Sequence, residues 1–153
     1  MILIIMSVLI GIVAGLRTMT APAAVAVGAR YGAIAVAGTP LAFMGYSWTP
    51  WIFCALAIVE LIMDQLPATP SRKVPMQFAA RVLTGALSGA TLAGPQGWVV
   101  AGLIAGIIGA VIGTLGGAAF RARLAAAFGR DGPAALIEDV IAIGAAALIV
   151  LAY

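Results

Sequence analysis

Two pairs of carboxylates stand out in a sequence that carries very few charges. Glu60 and Asp64 are four residues apart, which places both on one face of a helix, and Glu138 is followed directly by Asp139. Both pairs lie within apolar runs. Because an ionisable group inside a membrane helix is costly and usually faces a partner or water, these residues are candidates for an ion site or for a network of ion pairs.

Arginines and hydroxyl groups lie where they could complete such a site. Arg17 lies near the end of the first apolar run and is the expected partner of Glu60 within the membrane if the bundle has five spans. Thr18 and Thr20, with the carbonyls freed by Pro22, could supply neutral oxygens for an ion or an anionic headgroup. The candidate residues of the ion site or charge network are Arg17, Glu60, Asp64, Arg81, Glu138 and Asp139.

Two interpretations of these charges are open. In the structural interpretation the carboxylates neutralise arginines and hold helices together, and breaking one pair leaves an uncompensated charge. Asp139 follows a predicted helix start, where the helix dipole favours a carboxylate, which supports that interpretation. In the functional interpretation the cluster binds a cation or proton. The arginines concerned are Arg17, Arg72, Arg81, Arg121 and Arg123.

Several enzyme classes lack the residues that they need. The chain has no histidine, so no serine can form a histidine-dependent triad, and no glycine-rich phosphate loop precedes Lys73, the only lysine. Cys54 is the only cysteine and lies in an apolar run, which excludes a disulfide or a thiolate metal site within one chain. We expect no enzyme activity and no cofactor; the sequence leaves the question of a bound metal open.

The apolar composition predicts that these charges lie within a membrane protein. Of 153 residues, 64% are hydrophobic and 8% are charged, and the mean hydropathy is +1.19, whereas a soluble domain is about a quarter charged. The apolar runs are continuous, which favours helices over a barrel. The sequence therefore predicts an all-α integral membrane protein with a single transmembrane helical domain over 1–153. Its richness in Ala, Gly and Arg is typical of a bacterial genome of high GC content.

Apolar length and Gly/Pro positions predict a compact bundle of five or six transmembrane helices. The first segment is expected to break near Thr18–Pro22, after which a short apolar run contains Arg30. If that run spans the membrane, the bundle has six spans and the N-terminus lies outside; if it is a half-helix or re-entrant, which we favour, there are five and the N-terminus lies inside. The clear candidates are 2–17, 51–66, 79–93, 97–120 and 134–152.

The formal net charge of +3 reflects topology and does not predict nucleic-acid binding. Cytoplasmic loops are enriched in Lys and Arg, and tryptophans prefer the membrane interface. We therefore expect a multi-pass protein of the bacterial inner membrane, with both basic loops in the cytoplasm and the C-terminus at Tyr153 outside. The two loops hold Arg72, Lys73 and Arg81, and Arg121, Arg123 and Arg130; Trp48, Trp51 and Trp98 lie at the opposite helix ends.

Glycines recur at helical spacing on the fourth long segment, at positions 102, 106, 109, 113 and 116. Small residues let membrane helices approach closely, so this glycine stripe predicts tight packing within the bundle; alternatives are a homo-oligomer interface or the lining of a narrow path. The bundle has few interior positions, and we expect self-association. A weak internal echo, in which Gly11, Gly15 and Arg17 resemble Gly113, Gly117 and Arg121, suggests an inverted repeat of the kind found in transporters.

The ordered motifs resemble a family of small membrane proteins grouped as domain of unknown function 4126. The motifs are Gly15-Leu16-Arg17 followed by Pro22, Glu60-xxx-Asp64-xx-Pro67 with Pro70-Ser71-Arg72, Arg81 with Gly85-Ala86, and Ile137-Glu138-Asp139. The resemblance covers most of the chain, although the chain has glycine-rich, histidine-free sequence before its last helix. It implies an integral membrane protein and no established activity.

Together these features predict a small membrane transporter or channel-like protein for an ion or small polar solute, whose partners are the lipid bilayer and further copies of itself. The alternative is a non-catalytic membrane protein that binds lipid or a partner complex and whose charges are structural.

Overall fold

The computed structural model describes residues 1–64 and 74–153, in which every regular element is helical and no strand occurs. The all-helical class is thus confirmed. The six α-helices are α1 (Ile2–Leu16), α2 (Thr20–Arg30), α3 (Thr49–Met63), α4 (Pro75–Ala93), α5 (Val99–Phe128) and α6 (Asp131–Leu151).

The first apolar segment breaks between α1 and α2. Arg17 ends α1 in an extended conformation with φ −136° and ψ 114°, and α2 begins three residues later. Pro22 fits the first turn of α2 because a proline there lacks an N–H that the helix would leave unpaired anyway. The chain therefore turns back on itself at Arg17–Met19 and forms a short second helix of 11 residues.

Several predicted helix boundaries are wrong by three to eight residues. The fourth helix begins at Pro75, four residues before the predicted start at 79. The fifth helix runs to Phe128, eight residues beyond 120, because an alanine-rich stretch continues it until Gly129 takes a left-handed φ of 70°. The last helix begins at Asp131 rather than at 134, and its N-cap Arg130 makes no capping hydrogen bond with its side chain.

The third helix covers Thr49–Met63 rather than 51–66. Residues 65 and 66 of that prediction lie outside the described residues, as do Pro67 and Pro70 of the motif that resembles the family. The basic pair Arg72–Lys73 lies outside them as well. The predicted turn between the fourth and fifth helices is present, as a 3-10 turn over Gly94–Gln96 followed by Gly97 with a φ of 77°.

The glycine stripe packs α5 against α1 and α4. A Cβ on Gly106 would lie 2.8 Å from the carbonyl carbon of Gly85, and one on Gly109 would lie 2.9 Å from the Cα of Gly11. Gly116, two turns beyond Gly109, has nothing within 4 Å of such a Cβ. From Gly102 to Gly113 the stripe is thus buried inside one chain, so this part forms neither an interface between copies nor the wall of a path.

Contacts between the helices give their directions. Gly11 lies against Gly106, and Gly15 against Ala110 and Thr114, so residue numbers rise together and α1 runs parallel to α5. The two segments that carry the sequence echo therefore run the same way, which contradicts an inverted relation between them. Since α5 and α6 form an antiparallel hairpin, Met1 and Tyr153 lie at the same end of the bundle, unlike in the favoured five-span prediction.

The two ends of the bundle differ in their side chains. The end that holds Trp48, Trp51 and Trp98 is called the tryptophan end below. At the other, the arginine end, α5 continues for 14 residues beyond its contact with Gly15 at Thr114, which is about 21 Å of helix. The α5–α6 hairpin therefore projects past the break between α1 and α2.

Among the described residues, α5 and α6 are long and apolar enough to cross a membrane. The apolar helices α1 and α3 have 15 residues each and are shorter than the usual span of about 20. Two such helices give weak support for association with a membrane.

Candidate functional site

Arg17 is the centre of a cluster of buried charges. Its side chain is completely buried at the break after α1, and its guanidinium makes ion pairs with Asp64 from the end of α3 and Asp139 from α6. Arg17 does not pair with Glu60, the partner expected for a five-span bundle. The turn at Thr18–Met19 directs Arg17 between the ends of α3 and α6, whereas Glu60, one helical turn before Asp64, meets the backbone of that turn.

Glu60 binds the backbone that leads into α2. Its two carboxylate oxygens accept hydrogen bonds from the N–H groups of Thr18 and Met19, at 2.7 and 2.8 Å. Met19 is the N-cap of α2 and Thr18 precedes it, so Glu60 lies at the start of a helix, where the helix dipole favours an anion. Glu60 thus occupies an anion position built by the break.

Arg81 from α4 occupies the opposite end of the same break. Its Nη1 donates hydrogen bonds to the carbonyl oxygens of Gly15 and Leu16, at 2.8 Å each, and its Nη2 lies 3.9 Å from Glu60. Carbonyls at the end of a helix lack partners within the helix and favour a cation. The end of α1 and the start of α2 are therefore both satisfied by charged side chains of other helices.

Arg121 joins this cluster to the projecting hairpin. Its Nη1 lies 3.7 Å from Glu138 and 4.0 Å from Asp64, and its Nε donates to Asp131 at 2.8 Å. From the sequence, Arg121 is predicted to lie in a basic loop, and neither Arg121 nor Asp131 is among the predicted site residues. The sequence contains a signal for this pair. Arg121 and Asp131 are ten residues apart on either side of a Gly-containing turn, which brings them to the same level of a helical hairpin.

The charge cluster is defined here as Arg17, Glu60, Asp64, Arg81, Arg121, Glu138 and Asp139. All six sequence-predicted residues lie in it, and Arg17, Arg81 and Glu138 are at most 2% exposed. Thr18 contributes its backbone N–H. Thr20 lies in the first turn of α2 with its hydroxyl buried and without a hydrogen-bond partner among the described residues. Its oxygen is therefore a free neutral group within one helical turn of the break.

No group of three or more metal-binding side chains occurs within residues 1–64 and 74–153. The paired charges can instead exchange partners. A cation could compete with Arg81 for the carbonyls of Gly15 and Leu16, and an anion could compete with Glu60 for the N–H groups of Thr18 and Met19.

A large cavity begins beside the cluster. This apolar groove has a volume of about 520 Å³ and lies between α2, α3 and α6, lined for example by Ala23, Val27, Ala57, Leu61, Ile143 and Val150. Apart from Thr20 and Cys54, its lining side chains are hydrocarbon. A second cavity of about 180 Å³ lies nearer the tryptophan end and contains Arg30, Tyr31, Ser47 and Trp51.

Comparison of the chain with models of known protein families, with curated proteins and with solved structures gives no match. The function is therefore argued from the arrangement of side chains alone.

Proposed function

We propose that the protein is a small membrane transporter or channel-like protein that moves an ion or a small polar solute, with the charge cluster as its binding site. The observation that carries the proposal is the buried break between α1 and α2. Broken helices of this kind bind ions and charged substrate groups in transporters, because their free N–H and carbonyl groups face each other across the gap.

The contacts in the charge cluster favour replacement of a side chain by a ligand over a permanent structural bond. Each helix end at the break is satisfied by a single charged side chain: Glu60 at the start of α2 and Arg81 at the end of α1. Both side chains come from helices other than α1 and α2. A ligand that replaces either contact would loosen the attachment of α3 or α4 to the break, which couples occupancy of the site to a movement of helices.

A multi-pass location in a bacterial inner membrane forms part of the proposal. Large apolar side chains are exposed on several helices, among them Ile62 on α3, Val100 on α5 and Leu148 on α6, and soluble proteins rarely expose extensive apolar surface. The positive-inside rule places the arginine end, with Arg121, Arg123 and Arg130, in the cytoplasm. Tyr153 and Met1 then both lie outside.

Self-association and family membership remain parts of this proposal. Pro50 is the only buried residue of α3, so most of that helix is open to lipid or to a second copy. The motifs that resemble domain of unknown function 4126 contain the six predicted residues of the charge cluster. The proposal assigns no catalytic reaction.

A flux assay tests the proposal. Proteoliposomes with purified protein are assayed for proton, sodium, potassium and chloride movement and for uptake of small polar solutes, for wild type, Glu60→Gln and Asp64→Asn. We expect flux of at least one species, reduced about tenfold by each substitution, which corresponds to roughly 1.4 kcal/mol of lost interaction.

Asp131→Asn is the matched control for this assay. Asp131 is also a carboxylate near Arg121, but its side chain is 58% exposed, so the substitution should leave the flux within about twofold of wild type. If no species moves through the wild-type protein, or if all three substitutions have equal effects, the transport proposal is wrong.

A non-transporting protein that binds lipid or a partner is the second candidate, and two observations favour it. The charges pair with one another and with backbone, as in a structural network, and the 520 Å³ groove beside the cluster is apolar. Under this alternative Glu60→Gln destabilises the fold and no flux is found with any species.

A further inference from the structure

We propose that the apolar groove holds one acyl chain of an anionic phospholipid whose headgroup phosphate is bound by Arg30. This inference uses the membrane location proposed above and does not depend on transport.

The groove and the second cavity are neighbours that share two lining residues. Val27 of α2 and Cys54 of α3 line both of them. From Thr20 at the deep end to Arg30 at the tryptophan end, α2 rises about 15 Å. That is half of the roughly 30 Å hydrocarbon core of a bilayer, so the length suits a single acyl chain of one leaflet.

From the groove to the second cavity, the lining side chains change from hydrocarbon to polar and aromatic, which matches the acyl chain and the headgroup of a phospholipid. The deep part is lined by hydrocarbon side chains, while the shallow end holds Arg30, Tyr31, Ser47 and Trp51. Tyrosine and tryptophan prefer the level of the headgroups. Ser47 adds a hydroxyl group near the position of the phosphate.

Arg30 has the charge and the freedom to bind a phosphate. It is exposed and makes no ion pair with any residue in 1–64 or 74–153. The cations Arg17, Arg81 and Arg121 are all engaged with groups of the charge cluster. Arginine binds phosphate through two parallel N–H donors, so charge complementarity selects an anionic headgroup over a zwitterionic one.

The test uses delipidated full-length protein in detergent, titrated with phosphatidylglycerol or phosphatidylcholine that carry the same acyl chains. Native mass spectrometry counts bound lipid, and the rate at which a maleimide alkylates Cys54, the only cysteine of the chain, reports occupancy of the shared part of the two cavities. We expect one tightly bound phosphatidylglycerol that slows alkylation of Cys54, with an affinity about fivefold above that of phosphatidylcholine, the size expected for one arginine near an anionic headgroup.

Two pairs of variants test binding of the headgroup and binding of the acyl chain separately. Arg30→Gln should abolish the preference for phosphatidylglycerol, whereas Arg123→Gln, which removes an exposed arginine at the other end of the bundle, should retain it. Ala57→Phe fills the groove and should weaken binding of both lipids, whereas Ala55→Phe, an exposed position of α3 that does not line the groove, should not.

Three results would overturn the inference. Equal affinity of wild type for the two lipids, or equal loss of preference in Arg30→Gln and Arg123→Gln, would exclude a specific headgroup site. Equal effects of Ala57→Phe and Ala55→Phe would show that the acyl chain does not lie in the groove. Protection of Cys54 in a lipid-free dimer would show that a second copy covers the groove.

Discussion

At the scale of single residues, Arg17 decides how the charged side chains are arranged. A completely buried guanidinium is tolerated because carboxylates from two other helices meet it. Loss of one partner in such a group leaves a buried charge without compensation, and this usually costs more than the pair contributes.

Replacing Arg17 should therefore destabilise the protein strongly. We expect Arg17→Met to lower the free energy of unfolding by about 3–5 kcal/mol, because Asp64 and Asp139 lose their common partner. Arg17→Lys should cost less, since it keeps the charge but cannot reach both carboxylates with a planar fork. Unfolding of the protein in detergent by a denaturing surfactant measures both values.

Arg123→Met is the control for this prediction, because Arg123 is exposed on the same helix as Arg121 and should change stability by no more than about 0.5 kcal/mol. A loss in Arg17→Met as small as in the control would mean that Arg17 is not the centre of a buried network.

The sequence predicted which residues cluster but not how they pair. Helical spacing and depth selected Arg17, Glu60, Asp64 and Asp139. Depth alone could not show that Glu60 bonds backbone while Arg17 bonds Asp64, because that depends on the direction of the turn at Thr18–Met19. Neighbours are set by tertiary packing, which periodicity does not report.

At the scale of helices, α5 organises one side of the bundle through its glycines. Backbone lies against backbone where α1 and α4 pack on it, which allows van der Waals contact without a driving force from water. The sequence predicted this packing because small residues at steps of three and four mark one helix face. It missed the last turns of α5, since Arg121 and Arg123 were taken as the start of a loop although alanine-rich sequence follows.

Adding one methyl group at two positions of α5 should have opposite effects. Gly106→Ala would place a Cβ 2.8 Å from the carbonyl carbon of Gly85, and separating the helices should cost about 1–3 kcal/mol. Gly116→Ala meets nothing within 4 Å and should be neutral or stabilise by up to about 1 kcal/mol through helix propensity. Thermal unfolding in detergent compares the two, and a loss in Gly116→Ala equal to that in Gly106→Ala would contradict the packing described here.

At the scale of the whole molecule, the tryptophan end and the arginine end of the bundle differ in their side chains, and the helices between them differ in length. α1, α2 and α3 run between the tryptophan end and the charge cluster, while α5 and α6 continue beyond it. Sequence periodicity predicted the long helices but favoured five spans, because it could not show that α2 returns to the end from which α1 starts. The parallel contacts of α1 with α5 supply that information.

The membrane proposal makes this arrangement testable by labelling in whole cells. In a Cys54→Ala background, Ile2→Cys and Gln96→Cys should react with a membrane-impermeant maleimide from outside, and Ala127→Cys should react only after permeabilisation. All three positions are exposed in the fold, so accessibility reports the side of the membrane. Different sides for positions 2 and 96 would contradict the fold, and labelling of all three from outside would exclude the proposed orientation.

The partners of Arg17 have a consequence for how the protein is made. Asp139 is synthesised 122 residues after Arg17, and at about 5–20 residues per second the delay is roughly 6–24 s. During this interval the nascent chain carries an arginine whose carboxylate from α6 does not yet exist. The contact between Arg17 and α6 therefore forms only once α6 has been synthesised, so the charge cluster cannot be completed helix by helix in the order of the chain.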